Sequence, residues 1–238
     1  MTAPLFRTES YTQKTTGTVV GLSDQGGVIL DRSIFYPQGG GQPGDTGWIS
    51  WGGREIAVTN TIKGKDEAIV LEIEPGAALP ESGQTVTQRL NWDRRFRHMR
   101  VHTGLHLLSV VIPLPVSGGA ISAIKGRLDF DMPEALENKE ALQDQLNELI
   151  ARDLPITESW ITDAELAENP GLVKTMSVKP PTGAGRVRLI RIGEGDDQVD
   201  LQPCGGTHVA RTSEIGMVTL GKVEKKGARN RRVNMVLA

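Results

Sequence analysis

A chain of 238 residues, 38% hydrophobic and 24% charged with a net charge of −2, has a globular composition and room for one large domain or two modest ones. That excludes a largely disordered chain, and the single cysteine, Cys204, excludes an intramolecular disulfide. The amino-terminal residues lack the basic-then-apolar order of a secretion signal, and no apolar run approaches the roughly 18 residues of a membrane span, so a cytoplasmic protein with no membrane partner is expected.

With 28 glycines and only 4% aromatic residues, a turn-rich fold with many strands is expected. Residues 1–90 read as a small antiparallel β-barrel, with β-branched runs at Thr15–Leu22, Gly27–Leu30, Ile56–Thr61, Ala68–Glu74 and Thr85–Leu90 separated by Gly, Pro, Asp and Asn. At Asn91 the period changes. Asn91 caps a helix beginning at Trp92, with apolar residues at Phe96, Met99, Leu105, Leu108 and Val111, and Pro113 stops it. A second helix is predicted over Pro133–Arg152, with Leu136, Leu142, Leu146, Leu149 and Ile150 on one stripe, and a short third one is predicted from a Thr162 cap to Asn169-Pro170. Strands follow at Val187–Ile192, Val199–Leu201, Met217–Val223 and Val233–Leu237, so residues 91–238 read as an α+β domain with a mostly antiparallel sheet.

Chemistry concentrates in four histidines and the lone cysteine. His98, His102 and His106 recur every four residues on the first predicted helix, and His208 follows Cys204 by four in CGGTH. Side chains at i and i+4 share a helix face with Cβ atoms ~5–6 Å apart, a spacing that lets two imidazoles hold one ion. If the fold joins the two segments, His102, His106, Cys204 and His208 offer three nitrogens and a sulfur, a tetrahedral set suited to Zn2+, with iron or cobalt as other candidates. His98 reads equally as a ligand or as a solvent- or RNA-facing residue. Thr103 follows His102, so the glutamate of a zinc-protease helix is absent. Gly104 costs the helix about 1 kcal/mol relative to alanine, which reads equally as close packing against the backbone there or as a tolerated structural glycine.

The block Phe35–Gly47, FYPQGGGQPGDTG, lets backbone amides approach a ligand, or simply forms a turn between strands. It matches neither the Walker A nor the dinucleotide pattern, so no nucleotide cofactor is expected. Charge is uneven: eleven acidic residues stand against two basic ones between Asp131 and Pro170, whereas arginines gather from Arg89 to Arg100 and basic residues from Lys222 to Arg232. Such runs are usually solvated faces, and they also form anion-binding surfaces.

Three blocks, FYPQGGGQPGDTG, RVHTGLHLL at Arg100–Leu108 and CGGTHVARTSEIG at Cys204–Gly216, with the basic KKGARNRRV tail, closely resemble the free-standing alanyl-tRNA editing proteins called AlaX. These are similar to the editing domain of alanyl-tRNA synthetase; the threonyl-tRNA synthetase editing domain is more distant. The resemblance runs nearly the whole chain in the family's order. No aminoacylation domain precedes the blocks and no long extension follows Ala238, so a trans-acting protein of the medium-length type is expected. The resemblance implies an aminoacyl-tRNA hydrolase, independent of ATP, that cleaves Ser-tRNA(Ala), with Gly-tRNA(Ala) as a second candidate, in the service of translation fidelity. It assigns zinc to His102, His106, Cys204 and His208, and the editing pocket to Gln38, Gly39, Gly40, Gly41 and Gln42. Ser117 and Ser122 are candidates for the hydroxyl that senses the amino acid.

On the RNA side, Arg94, Arg95, Arg97 and Arg100, and Lys225, Lys226, Arg229, Arg231 and Arg232, are candidate contacts to the acceptor end of mischarged tRNA(Ala). Four protein ligands describe a closed zinc site, whereas catalytic zinc usually keeps a position open. A displaced ligand, five-coordination, or an ion that only orients substrate each resolves this. Two other readings stand beside the editing one: a non-catalytic, zinc-stabilised tRNA-binding module, and a zinc hydrolase of small aminoacyl esters.

Overall fold

Six of the amino-terminal strands close on themselves in the computed structural model, which describes residues 1–134, 138–176 and 185–238. The described chain groups into two compact units, Met1–Phe96 and Arg97–Ala238.

In the first unit, β1 (Ala3–Pro4) pairs in parallel with β4 (Arg32–Ser33). The barrel comprises β2 (Lys14–Leu22), β3 (Val28–Leu30), β7 (Ile69–Ile73), β6 (Arg54–Lys63), β5 (Gly47–Trp51) and β8 (Thr85–Leu90), each antiparallel to its neighbours in that order. Alternation decides the inside: Val19, Val28, Leu30, Ile49, Val58, Leu71, Val86 and Leu90 are buried in one core with Phe6, Ile34, Phe35 and Trp51. The one barrel strand the sequence pattern did not signal is β5. It follows the glycine block directly, and its two tryptophans flank a single β-branched residue, Ile49. Gly47 begins it because a Cβ there would lie 2.2 Å from the Arg89 carbonyl oxygen.

The cap at Asn91 forms as expected, its Oδ1 accepting from the Arg94 N–H at 3.3 Å, and α1 runs from Trp92–Val111. The division between the units falls inside α1, so its first turn groups with the barrel and its three histidines with the second unit.

The second unit holds two antiparallel sheets. One is ordered β14 (Val218–Lys225), β15 (Asn230–Leu237), β10 (Lys125–Asp131) and β9 (Val116–Ile121); the other is β11 (Ile156–Thr162), β12 (Arg186–Ile192) and β13 (Asp200–Pro203). The sequence pattern missed β9, β10 and β11. Two glycines dilute β9, whereas β10 alternates cleanly, with Gly126, Leu128 and Phe130 buried between half-exposed charged residues. Gly126 lets α1 approach: a Cβ there would lie 2.6 Å from Val101 Cγ1 and 2.9 Å from Leu105 Cδ1.

The second helix begins later than predicted, α2 spanning Lys139–Ala151, because the Asn138 side chain accepts from the Ala141 N–H at 2.9 Å and caps it there. Leu136 of the predicted stripe lies outside the described residues; Leu146 and Ile150 are buried. Opposite chemistry on α2 serves the edge of the sheet. Asn147 exchanges two hydrogen bonds with the backbone of Val218, and Gln143 Oε1 accepts from the Leu220 N–H at 2.9 Å, so β14 does not present a bare edge there. The capping box predicted at Thr162 is formed with Glu165 and starts α3 (Asp163–Glu168). The architecture is therefore α+β, a closed antiparallel barrel followed by antiparallel sheets and helices.

Candidate metal centre

His102 and His106 lie one turn apart on the buried face of α1, and the segment leaving β13 brings Cys204 and His208 to them. Their four ligand atoms all lie within 4.8 Å of one another. Cys204 Sγ is 3.5 Å from His102 Nε2 and 3.3 Å from His208 Nε2. A tetrahedron built on zinc bonds of ~2.0–2.3 Å has edges of about 3.3–3.8 Å, so these separations suit donors sharing one ion.

Each ring is oriented by what its other nitrogen touches. Thr103 Oγ1 donates to the Met99 carbonyl at 3.0 Å, so it accepts from His208 Nδ1 at 3.2 Å, which leaves His208 Nε2 as the lone-pair nitrogen facing Cys204. Thr103 also accepts from the Val209 N–H at 3.3 Å, which ties the Cys204–His208 loop to α1. His106 Nδ1 faces Asp200 Oδ2 at 3.1 Å, which directs Nε2 toward the cluster. The loop is held from the other side by Arg188, which donates to the carbonyls of Gly206 (2.8 Å) and Cys204 (3.3 Å) while pairing with Glu158 at 2.7 Å.

The electrostatics favour the ligating forms of Cys204 and His208, whereas His106 carries a proton that an incoming ion would displace. Burial opposes ionisation of the Cys204 thiol, but His102 and His208 overcome it and hold the thiol well below its ordinary range. Burial together with the neighbouring His102 pushes His208 down to about 3, so it is neutral. Burial works against the charge on His106 too, yet Asp200 and Cys204 lift it to about 9. Asp200 remains ionised despite its own burial because His106 and Lys174 stabilise the anion. Cys204 and Gly205 are half-exposed, and a Cβ on Gly205 would meet no atom within 4 Å, so the loop that carries Cys204 borders solvent on this side.

His98 is buried at 1% exposure and lies outside the four-ligand group, so the solvent-facing and ligand readings both give way to a core position. Arg95 is fully buried against Asp45 and is unavailable to a phosphate, which removes it from the RNA-contact candidates. Arg94 donates to the Gly44 carbonyl at 2.6 Å and Arg100 to the Ile215 carbonyl at 2.8 Å, while Arg97 is exposed. In the basic tail, Arg229 pairs with Asp131, Arg232 with Asp129 and Lys226 with Glu224; Arg231 donates to the Pro133 and Glu134 carbonyls. Lys225 is exposed.

The glycine block forms a turn between β4 and β5, closed by reciprocal Gly39 and Gln42 backbone bonds, with the Gln38 N–H donating to the Thr61 carbonyl. Gly40 and Gly41 adopt φ of +57° and +83°, which only glycine takes readily. Ser117 Oγ donates to the Asp129 carbonyl at 3.1 Å, and Ser122 Oγ to the Lys125 carbonyl at 2.9 Å, where it closes the β9–β10 turn.

Asp200, Gln202, Lys174 and Thr103 escaped the sequence reading. A usable signal existed: Asp200 and Gln202 precede Cys204 at period two, one face of a strand, in an otherwise apolar segment. Lys174 carried no such signal.

Residues 187–234 match the family described as threonyl and alanyl tRNA synthetase second additional domain, and residues 7–94 match tRNA synthetases class II (A). The chain is 34% identical to the alanyl-tRNA editing protein AlaX-M of Saccharolobus solfataricus over 98% of both chains. It is 32% identical to the protein of that name from Methanosarcina barkeri, over 100% of this chain and 99% of the other. It is also 32% identical to the alanine--tRNA ligase of Caldivirga maquilingensis, over 94% of this chain but 25% of the ligase.

Proposed function

The chain belongs to the alanyl-tRNA editing proteins of the AlaX-M type, and from that premise we propose that it acts in trans as a zinc-dependent deacylase, hydrolysing the ester of Ser-tRNA(Ala) and releasing tRNA(Ala) and serine. The observation that carries the reading is the convergence of His102, His106, Cys204 and His208, a donor set whose spacing and orientation suit one zinc ion.

An aminoacyl ester is already activated, so the protein has to position it, admit water and stabilise the developing oxyanion. Zinc held by these four residues would supply Lewis-acid polarisation. The chain supplies the rest. Asp200 and Thr103 fix the rings of His106 and His208, Arg188 holds the backbone of the Cys204 loop, and the side of that loop bordering solvent at Cys204 and Gly205 is where the acylated tRNA end approaches. We assign Arg97, Lys225, Arg229 and Arg231 to tRNA phosphates, and Ser117 and Ser122, each donating to a backbone carbonyl, stay the two candidate sensing hydroxyls. A cytoplasmic site of action follows from a tRNA substrate.

The test is steady-state deacylation of Ser-tRNA(Ala), with Ala-tRNA(Ala) and Thr-tRNA(Thr) as controls, for wild type and His102→Ala with metal content quantified. Selective serine release that vanishes with the metal supports the assignment. Tight tRNA binding without hydrolysis by zinc-loaded protein overturns it in favour of a binding module.

A further inference from the structure

Asp200 is the one carboxylate in contact with the four-ligand cluster among the described residues, and its side chain has no exposure at all. Burying an ionised carboxylate is costly unless each oxygen is partnered. Here each is. Oδ2 faces His106 Nδ1 at 3.1 Å and accepts from Gln202 Nε2 at 2.7 Å, while Oδ1 accepts from Lys174 Nζ at 2.5 Å; Gln202 Nε2 also lies 3.0 Å from His106 Nδ1, and with its N–H committed to the carboxylate at the shorter distance it leaves Oδ2 to accept the ring proton. Lys174 comes from a separate segment, anchored because the Val116 N–H donates to the Lys174 carbonyl at 3.0 Å and the Met176 N–H to the Val116 carbonyl at 2.8 Å. The segment therefore links β9 of one sheet to β13 of the other, the Lys174–Asp200 ion pair making the contact at Asp200. His208 faces the neutral hydroxyl of Thr103 on α1; His106 faces a charge assembled from one strand, β13, and a loop.

We propose that Asp200, clamped by Lys174 and Gln202, is the positioning residue that fixes His106 as a metal ligand, holding Nδ1 as the protonated nitrogen and aiming Nε2 at the ion. The proposal rests on the metal-centre reading above. Partners of this kind, one shell out from a metal, typically change metal affinity by ~10–100-fold when removed.

The test compares wild type with Asp200→Ala, Asp200→Asn and Lys174→Met, measuring the zinc dissociation constant by chelator competition and the electronic spectrum of the cobalt(II)-substituted protein, with circular dichroism of each metal-free variant. Asp200→Ala should weaken zinc by about 10–100-fold and shift the cobalt bands. Asp200→Asn keeps an acceptor for the Nδ1 proton and should recover much of both; Lys174→Met should fall between wild type and Asp200→Ala. A folded Asp200→Ala protein with wild-type zinc affinity and an unshifted cobalt spectrum overturns the positioning role alone. Should Asp200→Ala not fold, Gln202→Leu decides by the same spectrum, a shift supporting the proposal and an unshifted one overturning it. Wild-type protein that takes up neither metal overturns the metal-centre reading itself, and the proposal with it.

Discussion

Arg95 Nε donates to both oxygens of Asp45, at 3.0 and 2.9 Å, and neither side chain reaches solvent. The same guanidinium donates to the Ile34 carbonyl at 2.6 Å and the Ser10 carbonyl at 3.2 Å, while Asp45 Oδ2 accepts from the Tyr36 N–H at 2.6 Å. An arginine from the first turn of α1 thus ties together three segments of the first unit. Arg95→Met would strand a buried carboxylate and should cost about 3–5 kcal/mol. Chemical denaturation reads this directly, and a loss below ~1 kcal/mol would refute the structural role.

The glycine block makes a paired prediction. At Gly44 a Cβ would lie 2.1 Å from the Thr61 carbonyl oxygen and 2.5 Å from Asn60 Oδ1, and backbone cannot yield there. Gly40 has φ of +57° and open space around it. Gly44→Ala should therefore reach or exceed the upper end of the ~1–3 kcal/mol cost of overpacking, whereas Gly40→Ala should cost about 1 kcal/mol. Equal melting temperatures for the two variants would contradict this geometry.

At the metal centre, His102→Ala and Cys204→Ser each remove one of four converging donors. Both should lose stoichiometric zinc and lower deacylation by at least ~100-fold, the scale on which one well-placed electrostatic stabiliser is felt. Elemental analysis beside single-turnover rates checks the pairing, and full activity without metal would break it.

Charge in the tail is largely neutralised within the fold, so its residues should differ as RNA contacts. Lys225 is exposed, whereas Arg232 is held by Asp129 at 2.8 and 3.0 Å. Lys225→Ala should raise KM with little change in kcat and lower the salt slope of tRNA binding by about 1. Arg232→Ala should act mainly on stability. Binding titrations at several salt concentrations separate the two, and a collapse of kcat in Lys225→Ala would reject the assignment.

Acid should weaken the second unit through Asp129. Its partial burial opposes ionisation, but Arg232 and Arg127 hold its carboxyl below the ordinary value. A depressed folded-state pKa contributes stability that is present above the unfolded value, near 3.9, and is lost as pH falls through the folded one. Asp129→Asn should therefore flatten the stability profile between about pH 5 and pH 2 relative to wild type. Parallel profiles would exclude the contribution.

Much of the molecule was legible in local pattern. Five of the barrel strands, the Asn91 and Thr162 caps and the i, i+4 histidines all follow from side-chain period and capping chemistry, which act within a few residues. β10 carries an equally legible pattern, its alternation of Gly126, Leu128 and Phe130 with charged residues being as regular as any in the barrel. Glycine-diluted β9 was not legible in the same way, because its pairing with β10 carries it rather than its own side chains.

The amino-acid sequence by itself determined the donor types, the helix that spaces His102 from His106, and the loop that spaces Cys204 from His208. Only the tertiary structure decided that the two pairs share one centre, that Arg95 lies inside while Lys225 lies outside, and that Lys174 reaches Asp200 across 26 residues. Period and capping report contacts within a turn or a strand. Burial and ion pairing depend on which distant segments the fold brings together, and Arg95 lies inside because Asp45, 50 residues away in the chain, meets it there.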